Sequence, residues 1–206
     1  QKNKYQGRRI YSATFRGKKF RDVEMELIPI DTLVDVHGPS VSPDEKSLYF
    51  AADIEGGFGG TDIYVCRYNR RTKSWGEPQN LGENINSSGN EGYPVFSKST
   101  KNLYFSSDGA PAGMPGMGGL DIYKAEYNTS YDNEDIKTMF NVAENLQYPV
   151  NTCFDDFGMT FETYSQPGLE PELKGYFSSN RIGSKWKSKG KVDIYYFDKQ
   201  QIFFNL

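Results

Sequence analysis

The apolar residues of this chain fall in short runs separated by glycine-rich polar loops, and the runs recur. Ser47-Leu48-Tyr49-Phe50-Ala51-Ala52-Asp53 is followed, through Gly56, Gly57, Gly59 and Gly60, by Asp62-Ile63-Tyr64. Leu103-Tyr104-Phe105-Ser106-Ser107-Asp108 leads through Gly113, Gly116, Gly118 and Gly119 to Leu120-Asp121-Ile122-Tyr123. Gly175-Tyr176-Phe177-Ser178-Ser179-Asn180 leads through Gly183 and Gly190 to Val192-Asp193-Ile194-Tyr195. Runs this short, rich in Tyr and Phe and punctuated by glycine, predict strands. Three copies of strand, glycine loop and strand predict a repeat architecture.

The copies extend outward. Trp75-Gly76-Glu77-Pro78 and Asn80-Leu81-Gly82-Glu83-Asn84-Ile85-Asn86 follow the first, and Asn145-Leu146 with Pro149-Val150-Asn151 follows the second. An acidic turn comes next, Asn90-Glu91-Gly92 or Asp155-Asp156-Phe157, and then a short apolar strand re-enters the next Tyr-Phe strand. Each unit is four strands in roughly 55 to 70 residues, somewhat longer than the usual propeller blade. Arg9 to Phe15 and Phe20 to Ile28, joined by Arg16-Gly17-Lys18-Lys19, match only the last two strands of a unit. The expected fold is therefore all-β, a β-propeller of four-stranded antiparallel blades with about three and a half blades in the chain. The boundaries read as half a blade over 1–30 and blades over 38–82, 93–146 and 157–206. In the second copy Ile136 to Val142 is the expected outer strand, with a short helix over Ile136–Phe140 as the alternative. Thr163 to Leu173, bearing Pro and Gly, reads as an insertion in the third copy.

Composition agrees with strands and long loops: 15 Tyr, 14 Phe, 21 Gly and 10 Pro in 206 residues. A net charge of −3 argues against a nucleic-acid backbone as partner, which needs a concentrated basic surface. The nearest basic run, Lys185, Lys187, Lys189 and Lys191, is interleaved with Ser and Gly and reads as a solvated loop. No stretch approaches the ~18 apolar residues of a membrane span. The chain opens inside a repeat, so sequence is expected before Gln1, and the lack of a signal peptide there says nothing of the compartment. Cys66 and Cys153 have no metal-type spacing and read as free thiols.

The glycine loops invite a phosphate reading, but they lack the Gly-Lys-Ser/Thr ending and lead into strands. Their glycines are expected at φ > 0. Asp62, Asp121 and Asp193 follow these loops directly. A carboxylate there can accept backbone N–H bonds and pin the loop; the alternative is a calcium ligand among loop carbonyls. His37 is the only histidine and reads as a turn residue at the start of a strand. Glu91, Asp155 and Asp156 could supply the carboxylate pair of a propeller glycosidase, yet they recur at equivalent positions, as structural turns do. Asp35, Asn90, Glu91, Asp155 and Asp156 would instead ring one mouth of a central channel as an acidic rim able to meet a basic peptide. The plain alternative is a set of solvated turns.

Pro39-Ser40-Val41-Ser42-Pro43-Asp44, the three Tyr-Phe strands and the three Asp-Ile-Tyr strands resemble the PD40 (WD40-like) repeats of TolB-like β-propellers. The pairing of Gly-Gly-Phe-Gly-Gly-Thr-Asp-Ile-Tyr with Asn-Leu-Gly-Glu-Asn-Ile-Asn looks like the propellers of OmpA-family envelope proteins of Bacteroidota, including one in type IX secretion. The resemblance covers about Arg9 to Phe197. It implies a non-catalytic periplasmic scaffold, associated with the outer membrane, that binds other cell-envelope proteins and needs no cofactor. In that family peptidoglycan is bound by a separate domain whose motifs are not in these residues. Two other classes stay open: a carbohydrate-active propeller enzyme, and a calcium- or small-ligand-binding module. The second and third copies lack the Pro-Asp turn, which bears on blade count.

Overall fold

The computed structural model describes residues 7–131, 134–162, 174–182 and 192–198, and the backbone of 202–203. Among them the chain is all-β and forms four antiparallel sheets. Sheet I is a hairpin, β1 (Tyr11–Arg16) and β2 (Lys19–Met25). Sheet II runs β3 (Val36–Val41), β4 (Ser47–Ala52) and β5 (Asp62–Asn69), with an outer edge in two pieces, β6 (Ser74–Trp75) and β7 (Gln79–Asn80). Gly76-Glu77-Pro78 separates the two pieces, and Pro78 has no N–H to give a ladder. Sheet III runs β8 (Glu91–Ser97), β9 (Asn102–Ser107), β10 (Asp121–Glu126) and β11 (Glu144–Asn145). Sheet IV runs β12 (Asp156–Phe161), β13 (Gly175–Ser179), β14 (Asp193–Phe197) and β15 (Ile202–Phe203).

The Tyr-Phe and Asp-Ile-Tyr strands pair in one register three times: Phe50 faces Tyr64, Phe105 faces Tyr123, and Phe177 faces Tyr195. The rings stack with centroids 6.2, 5.8 and 5.5 Å apart. Each pair turns toward the unit before it. Phe50 and Tyr64 pack with Ile10 and Val36, Phe105 and Tyr123 with Tyr49 and Ile63 of sheet II, and Phe177 and Tyr195 with Tyr104 and Ile122 of sheet III. Residues one position along the strand turn the other way, as the period of two requires. Sheets II and III are thus covered on both faces, which explains why Leu48-Tyr49-Phe50 carries no polar break.

The first strands of sheets II, III and IV lie side by side. Phe96 N donates to Ser40 Oγ at 3.3 Å, and the Tyr93 and Phe157 rings lie 5.3 Å apart; Gly158 N also donates to Ser106 Oγ of β9 at 3.3 Å. Each of these strands carries a bulge at the same place, between His37 and Ser40, Gly92 and Val95, and Phe157 and Thr160. The bulged residue takes positive φ each time: Gly38 (61°), Tyr93 (53°) and Gly158 (67°). Glycine meets that need without strain in two copies, and Tyr93 carries it in the third.

Two expectations shift. The first strands begin at Val36, Glu91 and Asp156, so Glu91 and Asp156 open strands and do not sit in turns, while Asp35, Asn90 and Asp155 lie just before them. The outer strand of sheet III is Glu144–Asn145, not Ile136 to Val142; Ile136–Thr138 is one 3₁₀ turn, capped by Asp135 Oδ1 accepting from Lys137 N at 3.0 Å. Tyr127 and Phe140 still make an isolated bridge, so the edge is interrupted as in sheet II. The Thr163–Leu173 insertion, Gly183, Gly190 and the lysine run lie outside the described residues. No helix among the described residues is long and apolar enough to cross a membrane.

Candidate functional site

The polar residues singled out by spacing gather at one corner of each sheet, where a glycine loop meets the start of the next unit. Asp62 is buried, and its Oδ2 accepts from Phe58 N at 2.6 Å and Asn80 Nδ2 at 2.9 Å. Asp121 is buried likewise, and its Oδ2 accepts from Met117 N and from Gly118 N at 3.4 Å. Burial pushes the Asp121 carboxyl above the usual range, and the two N–H bonds pull it back. The second oxygen of each residue is buried with no protein partner. Asp193 is half-buried at the start of β14, and the loop before it lies outside the described residues.

Two asparagines complete each corner. Asn86 Oδ1 accepts from Ile63 N at 2.8 Å, and its Nδ2 donates to Ile63 O at 3.0 Å and Asn80 Oδ1 at 2.8 Å. Asn151 does the same to Ile122 and Asn145, at 2.8 Å for each bond. The side-chain amide takes the place of a missing strand residue and satisfies both backbone groups of the isoleucine. The Asn-Leu of both copies, followed later by Asn86 or Asn151, was the available sign of this brace.

The acidic rim does not form as expected. Glu91 and Asp156 are buried and used internally. Glu91 accepts from Ser87 N at 2.9 Å, Ser87 Oγ at 2.6 Å and Ser107 Oγ at 2.6 Å. Its carboxyl is nevertheless pushed up, because burial outweighs those bonds. Asp156 accepts from Thr152 N at 2.6 Å and Thr152 Oγ1 at 2.8 Å, and pairs with Arg181 at 2.5 Å. Asp155 accepts from Leu120 N at 3.0 Å and Asn180 Nδ2 at 2.6 Å. Asn90 is exposed but tied to Asp108, its backbone N–H donating at 2.6 Å and its Nδ2 at 3.0 Å. These groups are struts. The pair of free carboxylates that glycoside chemistry would need is not among them.

Most of the loop glycines are needed for a reason other than φ. In the first loop Gly56 has positive φ, whereas Gly57, Gly59 and Gly60 do not. A Cβ on Gly59 would collide with the carbonyl oxygens of Gly89 and Ser87, and one on Gly118 with those of Thr152 and Phe154. The loops lie flat on the following turns, where Gly60 N donates to Gly89 O at 2.8 Å and Glu91 N to Thr61 O at 2.7 Å. Gly59→Ala therefore lowers stability by about 1–3 kcal/mol, the usual range for overpacking. Gly92→Ala, where a Cβ meets open space, is the matched control. Urea melts of the two variants check this: equal midpoints would contradict the contact.

Asp35 lines a cleft of about 590 Å³ between the N-terminal segment and sheet II. Ile30, Leu33, Val34 and Ile54 give it apolar surface, and Asp31, Asp35, Asp53 and Glu55 give it four carboxylates against one cation, Arg8. Arg8 N donates to Asp35 at 2.6 Å and its guanidinium at 3.3 Å; the backbone bond is the main reason the Asp35 carboxyl lies below its usual range. Burial lowers the pKa of His37, aided by Arg8 and opposed by Asp35, and the buried Nδ1 has no protein partner. Asp53 and Glu55 are exposed; Asp53 ends its strand run as Asp108 and Asn180 end theirs, whereas Glu55 has no acidic counterpart in the other copies. Among the described residues no three Asp, Glu, His or Cys side chains are gathered as a metal set. No protein-family model and no curated protein matches the chain.

Proposed function

We propose that this chain is a PD40-type β-propeller segment of a cell-envelope protein, serving in the periplasm as a non-catalytic scaffold for other envelope proteins, as in type IX secretion. Three four-stranded sheets of one register, stacked face to face with their first strands side by side, support the propeller reading. The compartment and the assembly rest on the sequence resemblance. The observation that carries the binding role is the cleft beside Asp35, because two of its four carboxylates, Asp53 and Glu55, are exposed and not consumed as struts, and its apolar surface is open. Such a concavity suits a basic segment of a partner whose aliphatic stems lie on Leu33 and Ile54 while the charged ends meet Asp31, Asp53 and Glu55. The engagement of Glu91 by Ser87 and Ser107, and of Asp156 by Thr152 and Arg181, favours the scaffold reading over a carbohydrate-active enzyme.

The test is the double variant Asp53→Asn/Glu55→Gln, which leaves the fold intact because both side chains are exposed. Partners are captured from envelope extract by the wild-type chain, identified, and measured against both forms. The expected result is an association rate roughly 10-fold lower at low salt and a flatter salt dependence. The same rate and the same salt slope would remove the cleft as the docking site.

A further inference from the structure

Phe58 and Met117 hold one place in two copies of the glycine loop. Each is the fourth residue before the aspartate that pins the loop, and the buried carboxylate of Asp62 or Asp121 accepts from its backbone N–H. Both residues are nevertheless exposed, 43% and 41%, with Met114 at 45% beside the second. A loop closed by a buried carboxylate and laid flat on the next turn has little freedom, so these apolar side chains are held in solvent on rigid supports. We infer that the loop end of sheets II and III is a docking track for an extended cationic segment of a partner protein, whose apolar side chains seat on Phe58 and Met117.

Three features of the surface select that occupant. The track is continuous: Gly59 lies against Ser87 and Gly89, Gly89 against Asp108 and Gly109, and Ala112 N donates to Glu83 O at 3.2 Å, so one surface runs from the first loop across the turn over 82–90 to the second. It is also smooth. Gly59, Gly60, Gly116, Gly118 and Gly119 are exposed, and a surface without side chains lets another backbone come close. Finally, it carries one sign of charge. The stretches 53–61, 82–90 and 108–120 contain none of the 24 Lys and Arg of the chain, and Glu83 and Asp108, both exposed, stand along the track. At the other end of the same sheets the turns over 42–46, 70–73 and 98–101 hold Lys46, Arg70, Arg71, Lys73, Lys98 and Lys101 against Asp44 and Glu45. The field at the loop end therefore attracts a basic segment and repels an anionic surface. Sheets packed face to face lie about 10 Å apart, and an extended segment of about six residues reaches roughly 20 Å, enough to seat on both anchors. In the third copy the same position is Lys189, so the apolar pair belongs to the first two. Docking here does not require the cleft beside Asp35, although the loop over 53–61 borders both.

The probe is a short peptide of alternating leucine and arginine, with serine–arginine and leucine–glutamate peptides of the same length as controls. Methyl-labelled methionine gives one NMR signal for each of the five methionines, and the single histidine, His37, reports the cleft. Saturable shifts of Met114 and Met117 are expected with the leucine–arginine peptide, with no shift of the buried Met139. Either control peptide is expected to bind about 10-fold more weakly, and so is the leucine–arginine peptide to Phe58→Gln or Met117→Gln. Glu83→Gln is expected to flatten the salt dependence. All three side chains are exposed, and the wild-type shifts decide the matter if a variant melts early. No saturable shift at Met117, equal affinity for the serine–arginine peptide, or a folded Phe58→Gln variant that binds like wild type would each overturn the inference. Shifts at His37 alone would also overturn it while leaving the cleft beside Asp35 as a docking site; shifts at Met117 without His37 support it whatever the cleft binds.

Discussion

Phe105→Ala is expected to lower the free energy of unfolding by about 3–5 kcal/mol, the span for large aromatic truncations in close-packed cores. Phe105 is 1% exposed and sits where sheets II and III meet, stacked on Tyr123 and packed with Tyr49, Ile63 and Leu81. Truncation removes the ring's transfer energy, and strands on both sides hold the void open, since the stacked partner and the facing sheet are both fixed by backbone ladders. Phe15→Ala, on an exposed ring of the hairpin, should cost well under 1 kcal/mol. Urea melts followed by tyrosine fluorescence and by far-ultraviolet dichroism give both numbers. A Phe105→Ala loss as small as that of Phe15→Ala would mean that the junction is not the core.

Arg181→Ala is expected to be as damaging, by about 3–5 kcal/mol, because it leaves a buried carboxylate without its countercharge. Arg181 is 6% exposed and Asp156 fully buried. The guanidinium reaches Asp156 at 2.5 Å, Ser179 Oγ at 2.9 Å, Pro149 O at 2.9 Å and also Val150 O, and lies over the Tyr195 ring at 4.8 Å. The other sheets show two alternatives for the same corner. In sheet III the longer Glu91 reaches Ser107 directly, with no arginine. In sheet II the in-register pair is Val36 with Ala52, and Ile54 stands where Arg181 does. The triple variant Asp156→Val/Ser179→Ala/Arg181→Ile copies that apolar version and should come within about 2 kcal/mol of wild type, as buried ion networks replaced by apolar side chains often do. Equal losses in the single and triple variants would show that packing at Arg181, and not the stranded charge, sets the cost.

The fold was legible where spacing and parity both spoke. Leu48-Tyr49-Phe50 and Asp62-Ile63-Tyr64 recur with one glycine loop between them, and strands of period two followed at once. Burial of the acidic corner was not legible from Asn90-Glu91-Gly92, because local sequence makes a Glu beside Asn and Gly a turn. What overrides this is the partner across the ladder: Glu91 stands opposite Ser107 and Asp156 opposite Ser179, and those hydroxyls belong to another strand. Arg181 was missed for the same reason, since its carboxylate lies on the first strand of the sheet and nothing near it in sequence signals a charge pair. Positive φ holds at Gly56 and Gly113, whereas Gly59 and Gly118 are required by close approach to the next turn, and the two needs cannot be told apart in one dimension. Asp53 and Glu55 became a site only when residues 30–35 folded over them.

The two-sided sheet has a consequence for how such a chain can change over generations. Sheets II and III each present a Tyr-Phe face backward and an Ile face forward, and the glycine loop of each rests on the turn that opens the next unit. A unit gained or lost by duplication or deletion in the gene would therefore meet neighbours that already fit it. Length can drift by whole units while the joint stays constant, and selection on the joint acts on all copies alike.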